Sequence, residues 1–221
     1  MQLESLSWFP GHMTKTRRMV ASEIGSMDAV GKPRIVVLNR VDQADPKATK
    51  QWAAWFRAQG YAVLEVDAKS GAGVKQFAPA VRTLLADKLR AYEEKGQVGR
   101  VLRVILDTPG ILWPKFEDPD VGVRLGFTGA IRDDVMDMED LASRLMAYLG
   151  AHYPDALTER YKIAVEPGEQ GWELLEKAGR KRGFLMSGGE VNTERMARIL
   201  LDEYRAGKLG RFTLELPEEN A

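Results

Sequence analysis

Three short runs of branched and aliphatic residues limit this chain more than any other feature. They are 34–39 (Arg-Ile-Val-Val-Leu-Asn), 61–66 (Tyr-Ala-Val-Leu-Glu-Val) and 104–107 (Val-Ile-Leu-Asp). Runs so short and so apolar read as strands buried on both faces. The stretch 46–59 between the first two carries Trp52, Trp55 and Phe56 at helical spacing and stops at Gly60. After the second run, 74–94 reads as one helix that turns Phe77, Val81, Leu84, Leu85 and Leu89 inward. Strand–helix–strand–helix–strand is the pattern of a doubly wound parallel sheet. In such a sheet ligands gather beyond the carboxyl ends of the strands.

The flanking regions differ in character. Trp8-Phe9-Pro10-Gly11-His12-Met13 makes an aromatic segment that turns at Pro-Gly, and a helix is expected over 14–27 with Lys15, Arg17 and Arg18 at its start. Cations there oppose the helix dipole, which leaves an outside anion and an ordinary solvated basic turn as equal readings. Residues 117–140 hold eight acids against Arg124 and Arg132, and 141–149 reads as helix. Gly168 to Gly171 reads as a linker, followed by a helix at 172–178, a Ser187-Gly188-Gly189 turn and a helix at 193–206. Met196, Ile199, Leu200 and Tyr204 share one side of that last helix.

Composition removes several kinds of chemistry. The 221 residues contain no cysteine, so disulfides, thiolate zinc sites and cysteine nucleophiles are excluded. Two histidines, His12 and His152, cannot build a histidine-rich metal centre. Lys and Arg together number 32, as do Asp and Glu, so any polyanion must be held by a local patch rather than by net charge. No apolar run approaches a membrane span and no signal-peptide core opens the chain, so a cytoplasmic protein without membrane attachment is expected.

The loops after the strands carry the chemistry. Asn39-Arg40-Val41-Asp42 places a carboxylate where it can accept both the N1–H and the exocyclic N2–H of guanine, an edge adenine does not present. Bidentate pairs of this kind discriminate by roughly 1–3 kcal/mol. Asn39 can accept from neighbouring groups and hold the loop, or reach guanine N7. Asp67-Ala68-Lys69 at the next strand end would offer backbone N–H groups to guanine O6. After the third strand, Asp107 can hold Mg²⁺ through water, and in Thr108-Pro109-Gly110 the glycine N–H can approach a γ-phosphate with no Cβ in the way. Each signal alone is matched by an ordinary turn. Three of them on one sheet are not.

Trp8 to Met13, Asn39 to Asp42, and Asp107-Thr108-Pro109-Gly110-Ile111-Leu112-Trp113-Pro114-Lys115-Phe116 together resemble the ribosome biogenesis GTPase A family, the YlqF-type circularly permuted GTPases. The likeness continues through Gly183-Phe184-Leu185-Met186-Ser187-Gly188-Gly189. It implies an α/β fold: a circularly permuted P-loop GTPase-type parallel sheet flanked by helices, followed by a small all-α domain. The expected divisions are an N-terminal segment and helix at 1–30, the permuted G domain at 31–116, a helical connection at 117–165, and a helical RNA-binding domain at 166–221. Permutation accounts for the base-reading loop preceding the Asp107 turn.

The function so implied is a GTP-binding and GTP-hydrolysing assembly factor for the large ribosomal subunit. GTP and GDP with Mg²⁺ are its expected cofactors, participation of potassium being left open, and the subunit precursor and its rRNA its partners. The protein is expected to be monomeric off the ribosome. Ile111 cannot orient water where many relatives carry glutamine, so intrinsic hydrolysis is expected to be slow and His12 is the candidate catalytic group. A turn-capping role for His12 beside Trp8 and Phe9 stands as its equal. Arg180, Lys181, Arg182, Arg195, Arg198, Arg205 and Lys208 form the candidate RNA-binding cluster, with a solvated face as the plainer reading. Trp113 and Phe116 read as core packing before a partner-facing pair, and His152 as a surface or packing residue.

Three departures from the family pattern stand out. Arg40 replaces the usual lysine of the base-reading motif, and the two are not interchangeable. No Gly-x-x-x-x-Gly-Lys-Ser/Thr phosphate loop occurs anywhere, Gly99-Arg100-Val101-Leu102-Arg103 running straight into Val104. An Asp-Ala-Arg-x-Pro stretch before Gly31 is also missing. Either the nucleotide site has degenerated into a non-hydrolysing RNA-binding assembly protein, or internal segments have been left out of the sequence. The intact motifs on either side favour the second.

Overall fold

The computed structural model describes residues 4–9, 33–97, 99, 104–107 and 119–217, with only the backbone path at 4–9 and 104–107. The chain divides into two compact units, one formed by 1–112 with 213–221, the other by 113–212. The expected helix at 14–27 and the residues His12, Thr108, Pro109, Gly110, Trp113 and Phe116 lie outside the described residues.

The first unit is built on a four-stranded parallel sheet. Its strands are β1 (Glu4–Phe9), β2 (Ile35–Leu38), β3 (Ala62–Glu65) and β4 (Val104–Asp107), in the order β3-β2-β1-β4. Successive side chains of β2 face opposite sides, so its run of four buried residues serves two cores. Val36 and Leu38 pack with Trp52, Ala53 and Phe56 of α1 (Pro46–Ala58) on one face. Ile35 and Val37 pack with Leu64, Val66, Val81 and Leu85 on the other. Helices on both faces are what all-parallel pairing requires, since each crossover must cover the sheet.

Two expectations change here. β1 was not foreseen as a strand, yet it pairs on both sides and lies inside the sheet. The single helix expected over 74–94 is a 3-10 turn (Val74–Gln76) followed by α2 (Phe77–Leu84) and α3 (Ala86–Glu94). The helix breaks at Leu85, whose φ of −105° and ψ of 14° leave helical geometry while its side chain stays in the core. No glycine or proline marks that break.

The second unit is helical among its described residues: α4 (Pro119–Phe127), a 3-10 turn (Asp133–Val135), α5 (Met138–His152), α6 (Pro154–Tyr161), α7 (Gly171–Lys181) and α8 (Thr193–Arg205). α5 is its centre, burying Leu141, Ala142, Leu145, Met146 and Leu149 against the surrounding helices. Asp137 caps α5 by accepting from the Glu139 and Asp140 N–H groups, and Asn192 caps α8 through the Arg195 N–H. Gly168 to Gly171, read as a linker, is instead a fixed helix entry. Gln170 and Glu173 form a capping box, and a Cβ on Gly171 would stand 1.9 Å from the Ser143 carbonyl oxygen of α5. Glycine is there because the two backbones touch.

Candidate functional site

Because β2 and β4 both run parallel to β1, their carboxyl ends reach the same rim of the sheet. β1 lies between, and the register sets Asp107 level with Ser7 and Val36. Two strand spacings, about 10 Å, therefore separate β4 from β2. β2 runs on to Leu38, and the Asn39–Asp42 loop follows it.

The loop is held from several directions. Asn39 is buried, and its Oδ1 accepts from the Ala68 N–H at 3.0 Å. The Val41 N–H donates to the Val66 carbonyl at 3.3 Å, and the Gln43 and Ala44 N–H groups both donate to the Arg40 carbonyl. Arg40 itself has a φ of 63°. A left-handed backbone at a non-glycine residue costs roughly 1–2 kcal/mol, so the surrounding bonds must impose it.

Asp67, also buried, closes the neighbouring loop by accepting from the Lys69 N–H at 3.0 Å and the Ser70 N–H at 3.3 Å. The Ser70 hydroxyl bond outweighs burial and, with those N–H groups and the Arg40 charge, holds the Asp67 carboxyl below its ordinary range. The loop ends at Gly73, where φ is 77° and a Cβ would lie 2.3 Å from the Glu65 carbonyl oxygen. The N–H groups of Ala68 and Lys69, expected to face a base, are thus engaged by Asn39 and Asp67.

Asp42 differs from its neighbours. Its Oδ1 and the Arg40 Nε are buried, neither has a hydrogen-bond partner, and they face each other at 3.6 Å, beyond hydrogen-bond reach. The two form an ion pair on side chains 35% and 36% exposed, and the Asp42 Oδ1 keeps its hydrogen-bonding capacity for a donor from outside. Asp45 follows as the N-cap of α1, its Oδ1 accepting from the Lys47 and Ala48 N–H groups at 2.7 and 3.1 Å. Its own N–H donates to the Thr213 Oγ1 at 3.2 Å, across 168 residues of sequence. Further down α1 the Trp52 Nε1–H donates to the Glu215 carbonyl at 3.0 Å. Sequence reading missed this strap, and no local signal at Thr213 could have shown it.

The seven cations of the candidate RNA cluster do not share one environment. Arg182 lies 3.4 Å from Glu203 and over the Tyr161 ring. Arg205 makes a two-armed pair with Asp133 at 2.8 and 2.7 Å and donates to the Phe127 and Gly126 carbonyls. Both are used inside the helical unit. Arg180 pairs with Glu176 and Arg198 with Glu194, each at 2.7 Å, on exposed helix faces. Such pairs contribute only about 0.3–0.5 kcal/mol and are readily exchanged for another anion. The Arg195 guanidinium sits 4.4 Å from the Phe184 ring centre, and Lys181 and Lys208 are exposed.

Glu203 is the buried acid of this unit. It takes two bonds from the Arg160 guanidinium and one from the Tyr161 hydroxyl at 2.9 Å. Burial pushes its carboxyl up, but those bonds and the Arg160 and Arg182 charges outweigh it and hold the group below its ordinary range. Burial and the Glu203 charge push the Tyr161 hydroxyl far up. His152 is exposed, with its ring 4.5 Å from that of Tyr148. Among the described residues no cluster of three or more His, Asp or Glu could hold a metal, and no helix is long and apolar enough to cross a membrane.

No family model matches the chain. It is 34% identical to ribosome biogenesis GTPase A of Bacillus cereus over 281 positions, covering 97% of this chain and 95% of that protein. The Priestia megaterium protein of the same name is also 34% identical, with 97% and 98% covered. Both alignments are longer than the 221 residues present here, so the relatives carry internal residues for which this chain has none. Among solved structures, GDP-bound YlqF superposes with a TM-score of 0.61 at 23% identity, covering 98% of this chain and 96% of that one. GNP-bound YlqF from Thermotoga maritima gives 0.58 at 24%, covering 98% and 94%. At those identities they speak for the fold, and the curated relatives for the lineage: the chain belongs to the ribosome biogenesis GTPase A family.

Proposed function

We propose that the chain binds and hydrolyses GTP and serves as an assembly factor for the large ribosomal subunit. One observation carries the base-binding part: a buried Asp42 oxygen, ion-paired with Arg40 but accepting no hydrogen bond, in a braced loop on the sheet rim that also carries Asp107. Its relatives are named ribosome biogenesis GTPases, and structures of YlqF with GDP and with GNP share the fold. The base-reading loop preceding the Asp107 turn supports a circularly permuted G domain, to which β1 and the 213–215 segment belong as well as the expected 31–116 stretch.

In this reading Asp42 leaves Arg40 and accepts from guanine N1–H and N2–H, while Asn39 fixes the loop through Ala68. Asp107, a hard oxygen donor at a strand end, suits Mg²⁺ held through water. The ion supplies charge neutralisation on the β and γ oxygens. The Gly110 N–H senses the γ-phosphate and His12 orients water. Residues 166–221 contact rRNA of the subunit precursor, chiefly through Arg180, Lys181, Arg195, Arg198 and Lys208, with the protein working as a cytoplasmic monomer off the particle. The phosphate-binding loop belongs to the internal stretch that the relatives carry and these 221 residues do not. The intact mass of the protein from its source tests that: a mass equal to 221 residues points to the non-hydrolysing alternative.

The decisive test of the base site is nucleotide preference. GDP should bind roughly tenfold or more tightly than ADP. Asp42→Asn should reverse preference toward xanthosine diphosphate, whose O2 accepts where guanine N2–H donates. Equal affinity for GDP and ADP in the unaltered protein would remove Asp42 from base recognition.

A further inference from the structure

We infer that Thr213 is a positioning residue for the guanine-reading loop, acting through the Asp45 N–H. This rests on the reading of Asp42 as the base-recognition acid. Asp42 lies in a tight turn closed by the Gln43 and Ala44 N–H groups on the Arg40 carbonyl. One end of that turn is tied through Val41 to Val66, the residue that follows β3. The other end is Asp45, whose side chain is occupied in capping α1. Its main-chain N–H needs a partner from elsewhere, and the Thr213 hydroxyl is that partner at 3.2 Å.

The contact is part of a built feature. Thr213 is 5% exposed and Leu214 3%, and the Trp52 indole reaches the Glu215 carbonyl. Residues 213–215 thus run along α1 with a hydrogen bond at each end and a buried leucine between. Asp45 and Trp52 are seven residues apart, two helical turns, so the strap grips the side of α1 that leads into the loop. An Asp42 carboxylate discriminates guanine only if it is held still, because a bidentate pair is lost by small rotations. Binding a guanine nucleotide and seating the strap are therefore linked, and each strengthens the other.

The test compares GDP with inosine diphosphate, which lacks the exocyclic amine that Asp42 reads. Thr213→Val keeps the shape and removes the acceptor, and should lower the GDP-over-IDP preference by roughly threefold, against tenfold or more for Asp42→Asn. Thr213→Ser should restore it. A purely structural Thr213 would lower the melting temperature and leave the preference unchanged. Wild-type preference in Thr213→Val overturns the inference, while loss of preference in Asp42→Asn alone leaves the guanine reading standing. Unchanged preference in Asp42→Asn removes both. If Thr213→Val does not fold, amide exchange in the unaltered protein decides: the Asp45 N–H should exchange more slowly with GDP, and unchanged exchange overturns the proposal.

Discussion

Replacing Glu203 by glutamine should strip the helical unit of its principal buried charge pair. Glu203 is 8% exposed, and its carboxylate receives the Arg160 guanidinium, the Tyr161 hydroxyl and the more distant Arg182. Glutamine keeps the volume but turns an NH₂ group toward donors, so at least one of them loses its acceptor. Breaking a buried pair by removing one partner costs about 3–5 kcal/mol. The side chains of Arg160 and Arg182 are 36% and 31% exposed, so water compensates them in part. Tyr161 is 1% exposed and has no such relief. The lower end, about 3 kcal/mol, is the expected loss. With a urea slope of about 2 kcal/mol per molar, the midpoint should fall by about 1.5 M with the slope unchanged. Urea titration followed by far-UV circular dichroism reads both numbers. A midpoint shift under about 0.3 M would refute the reasoning.

The pH dependence of the same pair has a definite sign. The Glu203 carboxyl is held below its ordinary value of 4.5, so its contribution is complete above 4.5 and fades as pH falls through the depressed value. The stability gap between the unaltered protein and Glu203→Gln should be full at neutral pH and narrow only in acid. A gap that narrows above pH 6 instead would place the titrating group elsewhere.

Gly171→Ala should cost about 2 kcal/mol or more, because the new Cβ meets the Ser143 carbonyl and two backbones must part. Gly168→Ala, with open space around it, should cost only its backbone strain, and equal melting temperatures for the two variants would contradict the packing account. Arg205→Lys should lose the two-armed Asp133 pair and the carbonyl contacts, for about 2 kcal/mol and faster amide exchange at the end of α4. Unchanged exchange there would show that Arg205 does not hold that end. Charge reversal at Arg195 and Arg198 should weaken binding to the subunit precursor at low salt, with the salt slope falling by about one per lost phosphate contact. An unchanged slope would take these two out of the RNA surface.

What could be read from sequence follows the range of the forces involved. β2 announced itself because a strand buried on both faces must be apolar throughout, and β3 and β4 because they too are short apolar runs, although β3 stands at the sheet edge with Glu65 exposed. β1 did not, because Glu4, Ser5 and Ser7 are poor strand formers and its place depends on neighbours at 35–38 and 104–107. Asn39, Asp42 and Asp67 were legible as a loop cluster, since turn chemistry is local. Which atoms they bind was not: the Ala68 N–H goes to Asn39 because a buried amide oxygen takes the donor nearest to it. The cation cluster mixed two populations for the same reason. Glu176 and Glu194 sit one turn from Arg180 and Arg198 and could have been weighed, whereas Asp133 and Glu203 reach Arg205 and Arg182 only through the tertiary fold.

The strap at 213–215 also sets a timetable. A chain is made from its amino end, and the partners of the Asp45 N–H and the Trp52 indole are almost the last described residues to be synthesised. Until they arrive, α1 has one flank uncovered and the sheet-bearing unit is incomplete, while everything needed for the α5-centred bundle has already emerged. The later half of the molecule can therefore mature first, and a chain truncated just after Phe212 should hold a finished bundle and an unfinished sheet unit.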